Sequence, residues 1–188
     1  MDKRKKILDT LLEMIAERGF HDSSMRELST RSEVSVGNIY HYFPGKNDLI
    51  RGLYQDWQDR RLGSIMPATD KAANTEEVIK NCWTALFGFY TEYPQAFRFL
   101  EQFTLSPFFD ADLIIEERKQ IEPLIARLES GIARGEVRYM HPLSMIRIIF
   151  GHAASCSRLH IDGVTRIKDY QLDVVRQSCW DALRPMKY

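Results

Sequence analysis

The sequence predicts an all-α protein of about nine helices, and three observations support this. Apolar residues recur at intervals of three and four along almost the whole chain, which is the period of an amphipathic helix. No stretch of useful length alternates apolar and polar residues as a half-buried β-strand does. Between the periodic segments lie Gly, Pro and small polar residues that end one helix and cap the next. The expected architecture is an N-terminal three-helix domain containing a helix-turn-helix, followed by a larger helical domain.

Length and composition place the chain among ordinary globular proteins. It has 188 residues, 44% of them hydrophobic and 28% charged, and its formal net charge is zero. A nucleic-acid partner therefore has to be recognised by the local arrangement of charge, since the total charge gives no attraction.

The cysteines and the hydropathy pattern bear on the cell compartment. Cys82, Cys156 and Cys179 lie far apart, form no CxxC pair and are accompanied by no histidines at ligand spacing. This favours reduced thiols in a cytoplasmic protein and argues against a metal site. No apolar run approaches the roughly 18 residues of a membrane span or resembles a signal peptide. We therefore expect a soluble, cytoplasmic protein without a membrane partner.

The first helix is predicted from residue 3 to residue 18, with Gly19 as its C-cap. Its apolar stripe includes Ile7 and Ile15. The helix begins with four consecutive cations, at positions 3–6. Two interpretations of this basic run stay open: a flexible arm that contacts phosphate, or the solvated first turn of the helix.

Two short helices follow, and they form the most informative stretch of the chain. Ser24 is a natural N-cap for the second helix, and Glu27 completes a capping box that satisfies its first free N–H groups. Ser35 caps the third helix in the same way. The helix-turn-helix therefore spans about residues 25–44, where a Pro-Gly pair ends it.

The third helix is too short to be stable alone, because nucleation costs more than so few hydrogen bonds return. Val34, Ile39 and Phe43 have helical spacing and are expected to hold it against its neighbours. Its other side carries residues that hydrogen-bond or stack and have little net charge. They are Val36, Asn38, Tyr40, His41 and Tyr42. A short presented helix after a short bracing helix is the arrangement of a helix-turn-helix that reads DNA, although many such units only pack.

The letters of this stretch are more specific than its helical pattern. The run V-S-V-G-N-I-Y-H-Y-F-P-G-K-N-D-L-I, preceded by G-F and S-S-M-R-E-L-S, resembles the N-terminal domain of the TetR family of transcriptional regulators. The resemblance covers Ile7 to about Tyr54. At one position the chain departs from the family pattern, since the family usually has Gly in the turn where this chain has Glu33. If that turn needs a positive φ, a residue other than Gly costs about 1 kcal/mol there.

The residue types indicate a role for each side chain at DNA. Val36 offers only an apolar contact and suits a thymine methyl group, whereas Asn38 suits adenine or a phosphate. The resemblance implies that Tyr40, His41 and Lys46 lie against the phosphate backbone. Polar side chains at the starts of both helices are expected on phosphate as well. The complete set of predicted DNA-binding residues is Ser24, Arg26, Ser35, Val36, Asn38, Tyr40, His41, Tyr42 and Lys46.

A fourth helix is predicted from residue 46 to about residue 65, weakened near its end by Gly63 and closed by Pro67. The polar stretch 67–74 is the best linker in the chain. The resemblance then implies a helix-turn-helix DNA-binding domain, 1–61, and a ligand-binding and dimerisation domain, 62–188.

Five helices are predicted beyond the linker. The fifth, capped by Asn74, has apolar residues around more than one face and should be nearly buried. Pro94 breaks the chain and can open the sixth helix. Pro123 should kink or split the seventh, because it removes a backbone hydrogen bond in mid-helix. The predicted bounds are about 75–93, 95–105, 111–134, 141–160 and 168–184.

The resemblance implies that the last two helices pair with their copies in a second subunit. Small residues on the eighth helix would let two such helices approach closely. The alternative is that these apolar stripes are the core of the single chain. The candidate interface residues are Ile146, Phe150, Ala153, Ala154, Ser157, Leu172, Val175, Cys179 and Leu183.

Aromatic side chains are frequent in the second half of the chain and at the end of the fourth helix. If the resemblance holds, this half is a ligand sensor, and an aromatic-rich cavity would suit a flat or apolar effector. The alternative is that stripes at helical spacing form a plain core. The candidate ligand-binding residues are Trp57, Met66, Trp83, Phe87, Tyr90, Phe97, Phe103, Phe108 and Phe109.

Enzyme motifs are absent from the sequence, which has no Gly-rich phosphate loop, no GxSxG and no HExxH. We therefore expect no catalysis and no cofactor. The resemblance implies a homodimeric repressor that a small-molecule effector releases from a near-palindromic operator. Two alternatives stay open. One is a dimeric helical ligand-binding protein without operator binding, which the acidic Glu33 would favour; the other is a DNA-organising protein of the same fold that regulates no promoter.

Overall fold

The computed structural model describes residues 2–20 and 24–185, and this part of the chain forms ten α-helices and no strand. The all-α prediction is confirmed. The helices are α1 (Lys3–Arg18), α2 (Met25–Ser32), α3 (Val36–Tyr42), α4 (Lys46–Asp70), α5 (Thr75–Glu92), α6 (Pro94–Thr104), α7 (Ala111–Gln120), α8 (Glu122–Ala133), α9 (Pro142–Ile161) and α10 (Asp169–Leu183).

The tenth helix arises because the predicted seventh helix is split. α7 ends at Gln120 and α8 begins at Glu122, with Pro123 in its first turn. Proline is tolerated there, because the first N–H groups of a helix have no intrahelical partner to lose. Of the two outcomes predicted for Pro123, a kink or a split, the structure shows the split.

The predicted end of the fourth helix at Pro67 is wrong, because α4 continues through this residue to Asp70. Gly63 and Pro67 are both exposed, so water can satisfy the carbonyl that loses its partner. The end of α4 is also held by Arg127 of α8. Its guanidinium donates to the carbonyl oxygens of residues 69, 70 and 72, at 2.8, 3.0 and 2.5 Å. These contacts replace the hydrogen bonds that the last carbonyls of a helix lack.

The helices form two compact units. The first consists of the described residues up to Arg60 together with Tyr93–Leu113, and the second of Arg61–Glu92 with the described residues from Ile114 onward. The sequence predicts the segment 93–113 in the second domain, whereas this segment packs in the first unit. The physical reason is the aromatic face of α6, where Phe103 stacks on Tyr54 of α4 with 4.1 Å between the ring centroids.

In the first unit, α1 packs against α2, α3 and α6. Its predicted apolar stripe is buried, since Ile7 is 0% and Ile15 is 3% exposed. Phe20, directly after α1, contacts Phe99 and Phe108 with centroid separations of 5.7 and 5.9 Å. The short α2 and α3 therefore pack on α1, which also packs against α6.

In the second unit, α5 lies at the centre and packs against α8, α9 and α10. Its apolar side chains between Val78 and Tyr90 are buried, as predicted. Burial on this scale accounts for the all-round apolar pattern of the helix. A helix surrounded in this way has its position fixed by three neighbours.

The start of α5 is tied to the chain that follows α8. Thr75 donates to Oε2 of Glu136 through its backbone N–H, at 3.2 Å, and through its hydroxyl, at 2.5 Å. Arg134 donates to the same carboxylate at 2.6 and 3.1 Å. These hydrogen bonds, those from Arg134 first, lower the pKa of Glu136 to about 2. Glu136 thus acts as a negative charge at the positive end of a helix.

A polar chain links α5, α9 and α10. The indole N–H of Trp83 donates to Nδ1 of His152 at 2.8 Å, so the imidazole carries its proton on Nε2. Nε2 donates to the hydroxyl of Ser178 at 3.1 Å, and this hydroxyl donates to the carbonyl of Val175. Burial lowers the pKa of His152. The neutral imidazole is therefore the form that fits the site.

Neither a membrane-spanning helix nor a metal-binding group occurs among the described residues. Over 2–20 and 24–185, no helix has the length and apolar character needed to cross a membrane. In the same ranges, no three His, Cys, Asp or Glu side chains are grouped so that they would hold a metal ion. The thiols of Cys82, Cys156 and Cys179 form no disulfide. Burial raises their pKa values, that of Cys179 to about 12, so none of the three is an activated thiolate.

Candidate nucleic-acid interface

The first helix of the helix-turn-helix, α2, begins as its sequence predicts. The hydroxyl of Ser24 accepts a hydrogen bond from the N–H of Glu27 at 3.1 Å. Leu28 is 1% exposed and fixes the inner side of the helix. Ser32 is also buried, and its hydroxyl donates to the carbonyl of Leu28 at 2.6 Å, so no polar group is left unpaired at this point.

The turn between α2 and α3 is made by Glu33. Its φ of 53° and ψ of 27° are in the left-handed region, and it is the sole non-glycine residue with a positive φ in the described part of the chain. Glycine adopts this conformation without steric cost, whereas other residues lose about 1–2 kcal/mol. The departure from the glycine pattern noted in the sequence therefore falls on a position where the backbone does need a positive φ.

The second helix, α3, has only seven residues and is held by three buried side chains. Val34, Ile39 and Phe43 are 4%, 0% and 5% exposed, as their spacing predicts. Ser35 caps the helix, its hydroxyl accepting from the N–H of Asn38 at 3.3 Å. Burial of these apolar groups supplies the stability that so short a helix lacks by itself.

The side of α3 that is predicted to face DNA is exposed to solvent. Val36 is 36% exposed, Tyr40 48% and Tyr42 40%, and Asn38 and His41 are exposed as well. The rings of His41 and Tyr42 meet edge to face, with 5.7 Å between their centroids. Ser24, Arg26 and Ser35 are also exposed, whereas Lys46 is half-buried. One short helix thus exposes hydroxyl, amide, imidazole and apolar groups to solvent, while its opposite side is buried.

The last turn of α3 rests on α4. A Cβ atom at Gly52 would lie 2.7 Å from Cε1 of Phe43, so the absence of a side chain at position 52 lets the ring approach the helix. Phe43 is the C-cap of α3. α4 therefore sets where α3 ends.

The charges of α1 and α2 are largely paired within the unit. Arg31 contacts Glu17 at 2.9 Å and Glu27 at 3.0 Å, which raises the pKa of Arg31. The basic run at 3–6 is the first turn of α1, with Asp2 as N-cap, so the helical interpretation of this run is the one that the structure shows. Within it, Lys3 and Lys5 are exposed.

Two family models match this chain. The model described as "Bacterial regulatory proteins, tetR family" matches residues 7–53, which contain most of α1 and all of α2 and α3. The model described as "Tetracyclin repressor-like, C-terminal domain" matches residues 60–185, two thirds of the chain. The chain belongs to the TetR family. Members of this family are transcriptional regulators that bind DNA and act as dimers.

The known proteins similar to this TetR-family chain agree in fold and in the location of the sequence likeness. The HTH-type transcriptional regulator BetI of Escherichia coli is 39% identical over 54 residues, 29% of this chain and 28% of BetI. An uncharacterized HTH-type transcriptional regulator of Bacillus subtilis, YuxN, is 26% identical over 86 residues, 46% of this chain and 30% of YuxN. The match thus spans less than a third of the length of either relative.

Solved structures extend the likeness of fold to the whole chain. A TetR family transcription regulator from Marinobacter aquaeolei VT8 superposes with a TM-score of 0.91 at 19% identity, covering 98% of this chain and 96% of that one. A putative tetR family transcription regulator from Shewanella sp. PV-4 gives 0.88 at 19% identity, covering 99% and 100%. These similarities concern the TetR fold.

The candidate ligand-binding residues fall into both units of this TetR-family chain. Trp57, Phe97, Phe103, Phe108 and Phe109 belong to the first unit, and Met66, Trp83, Phe87 and Tyr90 to the second. In the second unit, Trp83 stacks on Phe87 with 5.3 Å between centroids. Most of these side chains are buried, so their assignment to a ligand stays a prediction.

A charged group that the sequence does not indicate lies beside Tyr90 in the second unit. Arg61 has a side chain only 11% exposed, with its guanidinium 3.7 Å from the Glu117 carboxylate and 3.5 Å from the Tyr90 hydroxyl. It also lies over the ring of Phe150, 5.5 Å from the centroid. No local signal could have shown this, since the four residues lie on four different helices.

The candidate dimer interface stays a prediction, and its residues differ in exposure within the single chain. Five of the nine residues are at most 4% exposed within the single chain. They are Ile146, Ala153, Ser157, Cys179 and Leu183. Phe150, Ala154, Leu172 and Val175 are partly exposed. Other positions on the same helices are exposed, among them Gly151, Ser155, Leu159, Val174 and Ala182.

Proposed function

We propose that this chain is a homodimeric repressor that binds a near-palindromic operator and is released from it by a small-molecule effector. It acts by binding and without catalysis, in the cytoplasm. The observation that carries the proposal is the exposed face of α3, where hydrogen-bonding and stacking groups project from a helix that is fixed from behind by Ile39 and Phe43. Such a helix suits the major groove, where base edges are read.

Roles at DNA follow from the chemistry of each side chain. Val36 and Asn38, in the first turn of α3, read base edges, because the N-terminal residues of a recognition helix contact bases. His41 and Lys46, near its end, contact phosphate, which fixes the position of the helix without specifying sequence.

A dimer explains why so short a helix is enough. Two copies of α3 related by a two-fold axis read two half-sites, so the operator is a near-palindrome. The exposed stripe of α9 and α10 supports the pairing, because Leu159 and Val174 are 46% and 68% exposed there and small residues flank them. Pairing of this face buries apolar area that a single chain leaves in water.

The effector is proposed to bind in the second unit. The support is the aromatic pair Trp83 and Phe87 together with the buried Arg61 beside Tyr90 and Glu117. Apolar surroundings with few convergent polar groups are typical of small-molecule sites. Release of DNA requires that the effector bind one arrangement of the dimer better than the other.

Selection of bound duplexes from a random DNA pool at near-physiological salt tests the proposal. Enrichment of one near-palindrome is the expected result and gives the operator. Recovery of random sequence, with binding that disappears as salt rises, would show only charge-driven contact and would favour the DNA-organising alternative. Absence of binding at every salt concentration would favour the ligand-binding alternative.

Point variants then separate the proposed roles. Val36→Ala or Asn38→Ala should relax base preference at one operator position by about 1–3 kcal/mol. His41→Ala or Lys46→Ala should weaken binding to operator and random DNA alike and reduce the slope of log affinity against log salt. Equal effects of all four variants on both DNAs would contradict this division of roles.

A further inference from the structure

The turn of the helix-turn-helix carries an exposed charge pair, Glu33 with Lys6 of α1. Glu33 turns its side chain back to α1, where the ammonium group of Lys6 donates to Oε2 at 2.5 Å. The hydrogen bond and the positive charge of Lys6 lower the pKa of Glu33. The carboxylate nevertheless remains 78% exposed. Its charge is therefore present at neutral pH and acts through solvent on whatever approaches the turn.

The position of Glu33 brings this charge close to the proposed DNA surface. Glu33 lies two residues before Ser35, the N-cap of α3. Two residues of extended chain span at most about 7 Å. This is less than the screening length of about 8 Å at physiological ionic strength. The backbone of position 33 thus lies within one screening length of the N-cap of α3.

The pair also determines how much of the basic run at 3–6 can act on DNA. Lys6 is engaged by Glu33, and its side chain is 31% exposed. Arg4 contacts Asp56 at 3.4 Å and lies over the ring of Phe43, 5.7 Å from the centroid. Two of the four cations are therefore partly neutralised within the unit, and Glu33 accounts for one of them.

We propose that Glu33 weakens the sequence-independent attraction of this chain to DNA, by neutralising Lys6 and by keeping an exposed negative charge in the turn before α3. The inference rests on the proposed DNA binding. Sequence-independent affinity comes from the number of phosphates that cations neutralise. Glu33 lowers that number and leaves discrimination to the side chains of α3.

Titration of a fluorescent duplex of random sequence over a range of salt concentrations tests this. Glu33→Gln keeps the size of the side chain and removes its charge. Its affinity should rise roughly three- to tenfold at low salt, and the slope of log affinity against log salt should steepen by about one, the effect of one further phosphate contact. Glu33→Gly, which also removes the left-handed strain, should show the same steepening.

Two further variants separate the local effect from net charge. Glu13→Gln makes the same change in net charge at an exposed position of α1, seven residues after Lys6. It should leave both affinity and slope almost unchanged. Adding Lys6→Gln to Glu33→Gln should reverse the gain, because Lys6 supplies the new contact. Thermal unfolding of each variant shows that the unit is intact.

The outcomes are distinguishable. An unchanged slope in Glu33→Gln, or an equal gain in Glu13→Gln, overturns the role of Glu33 while wild-type binding to DNA still stands. Failure of the wild-type chain to bind any duplex overturns the proposed function and this inference together.

Discussion

Replacement of Gly52 by alanine tests whether α4 positions α3 through Phe43. A Cβ atom at position 52 would lie 2.7 Å from Cε1 of Phe43 and 3.3 Å from Cδ1. The ring is rigid and 5% exposed, so it has little room to move without moving the end of α3 that it caps. Gly63, on the same helix, is the matched control, because a Cβ atom there meets nothing within 4 Å.

Both substitutions raise helix propensity, and Gly52→Ala alone also changes the packing of the core. Each gains about 0.5–1 kcal/mol, because alanine is the better helix former. Gly52→Ala also overpacks the core, which costs about 1–3 kcal/mol. The shared gain cancels in the comparison, so Gly52→Ala should be less stable than Gly63→Ala by about 1–3 kcal/mol. For a chain of this length, that corresponds to a difference in Tm of about 2–12 °C.

Thermal unfolding by circular dichroism, at one protein concentration because dimerisation affects Tm, measures the difference. Gly52→Ala should also lose DNA affinity, whereas Gly63→Ala should keep it. Adding Phe43→Leu to Gly52→Ala removes the ring atoms in conflict and should restore part of both. Equal stability and equal DNA affinity of the two single variants would refute the argument that α4 sets the position of α3.

Two further predictions concern pH. Burial holds the pKa of His152 below its usual value of about 6.5, so the unfolded chain takes up this proton first as pH falls. The free energy of unfolding should therefore fall as pH decreases below about 6.5. Urea titrations should show a weaker fall in His152→Asn, whose amide oxygen can still accept from Trp83. Because the pKa of Glu136 is lowered to about 2, its contribution to stability should be complete above about pH 4.5 and lost as pH falls toward 2. Glu136→Gln should be less stable at neutral pH and should lack this part of the acid transition. An unchanged acid transition in this variant would contradict the role of Glu136.

The features predicted correctly from the sequence are local. The N-caps of α2 and α3, the proline that opens α6 and the inward side chain of Ile39 depend on residues a few positions apart, so spacing alone shows them. The exposed face of α3 follows from the same spacing.

The features that the sequence could not show depend on residues far apart in the chain. The continuation of α4 past Pro67 relies on Arg127, and the Glu33 turn contacts Lys6, 27 positions earlier. An apolar stripe does not show which neighbour it meets, and Cys179 and Leu183 of α10 are fully buried within the single chain.

The hold of Arg127 on the end of α4 has a consequence for how the chain tolerates mutation. Its guanidinium donates to the main-chain oxygens of residues 69, 70 and 72. Main-chain oxygens are the same for every amino acid, so many substitutions in this segment leave the contacts in place. Arg127 itself has no equivalent substitute, because a lysine offers a single ammonium where a planar fork reaches three acceptors. The exposed positions 70 and 71 can therefore vary in sequence while one arginine on another helix keeps the backbone of the segment in place.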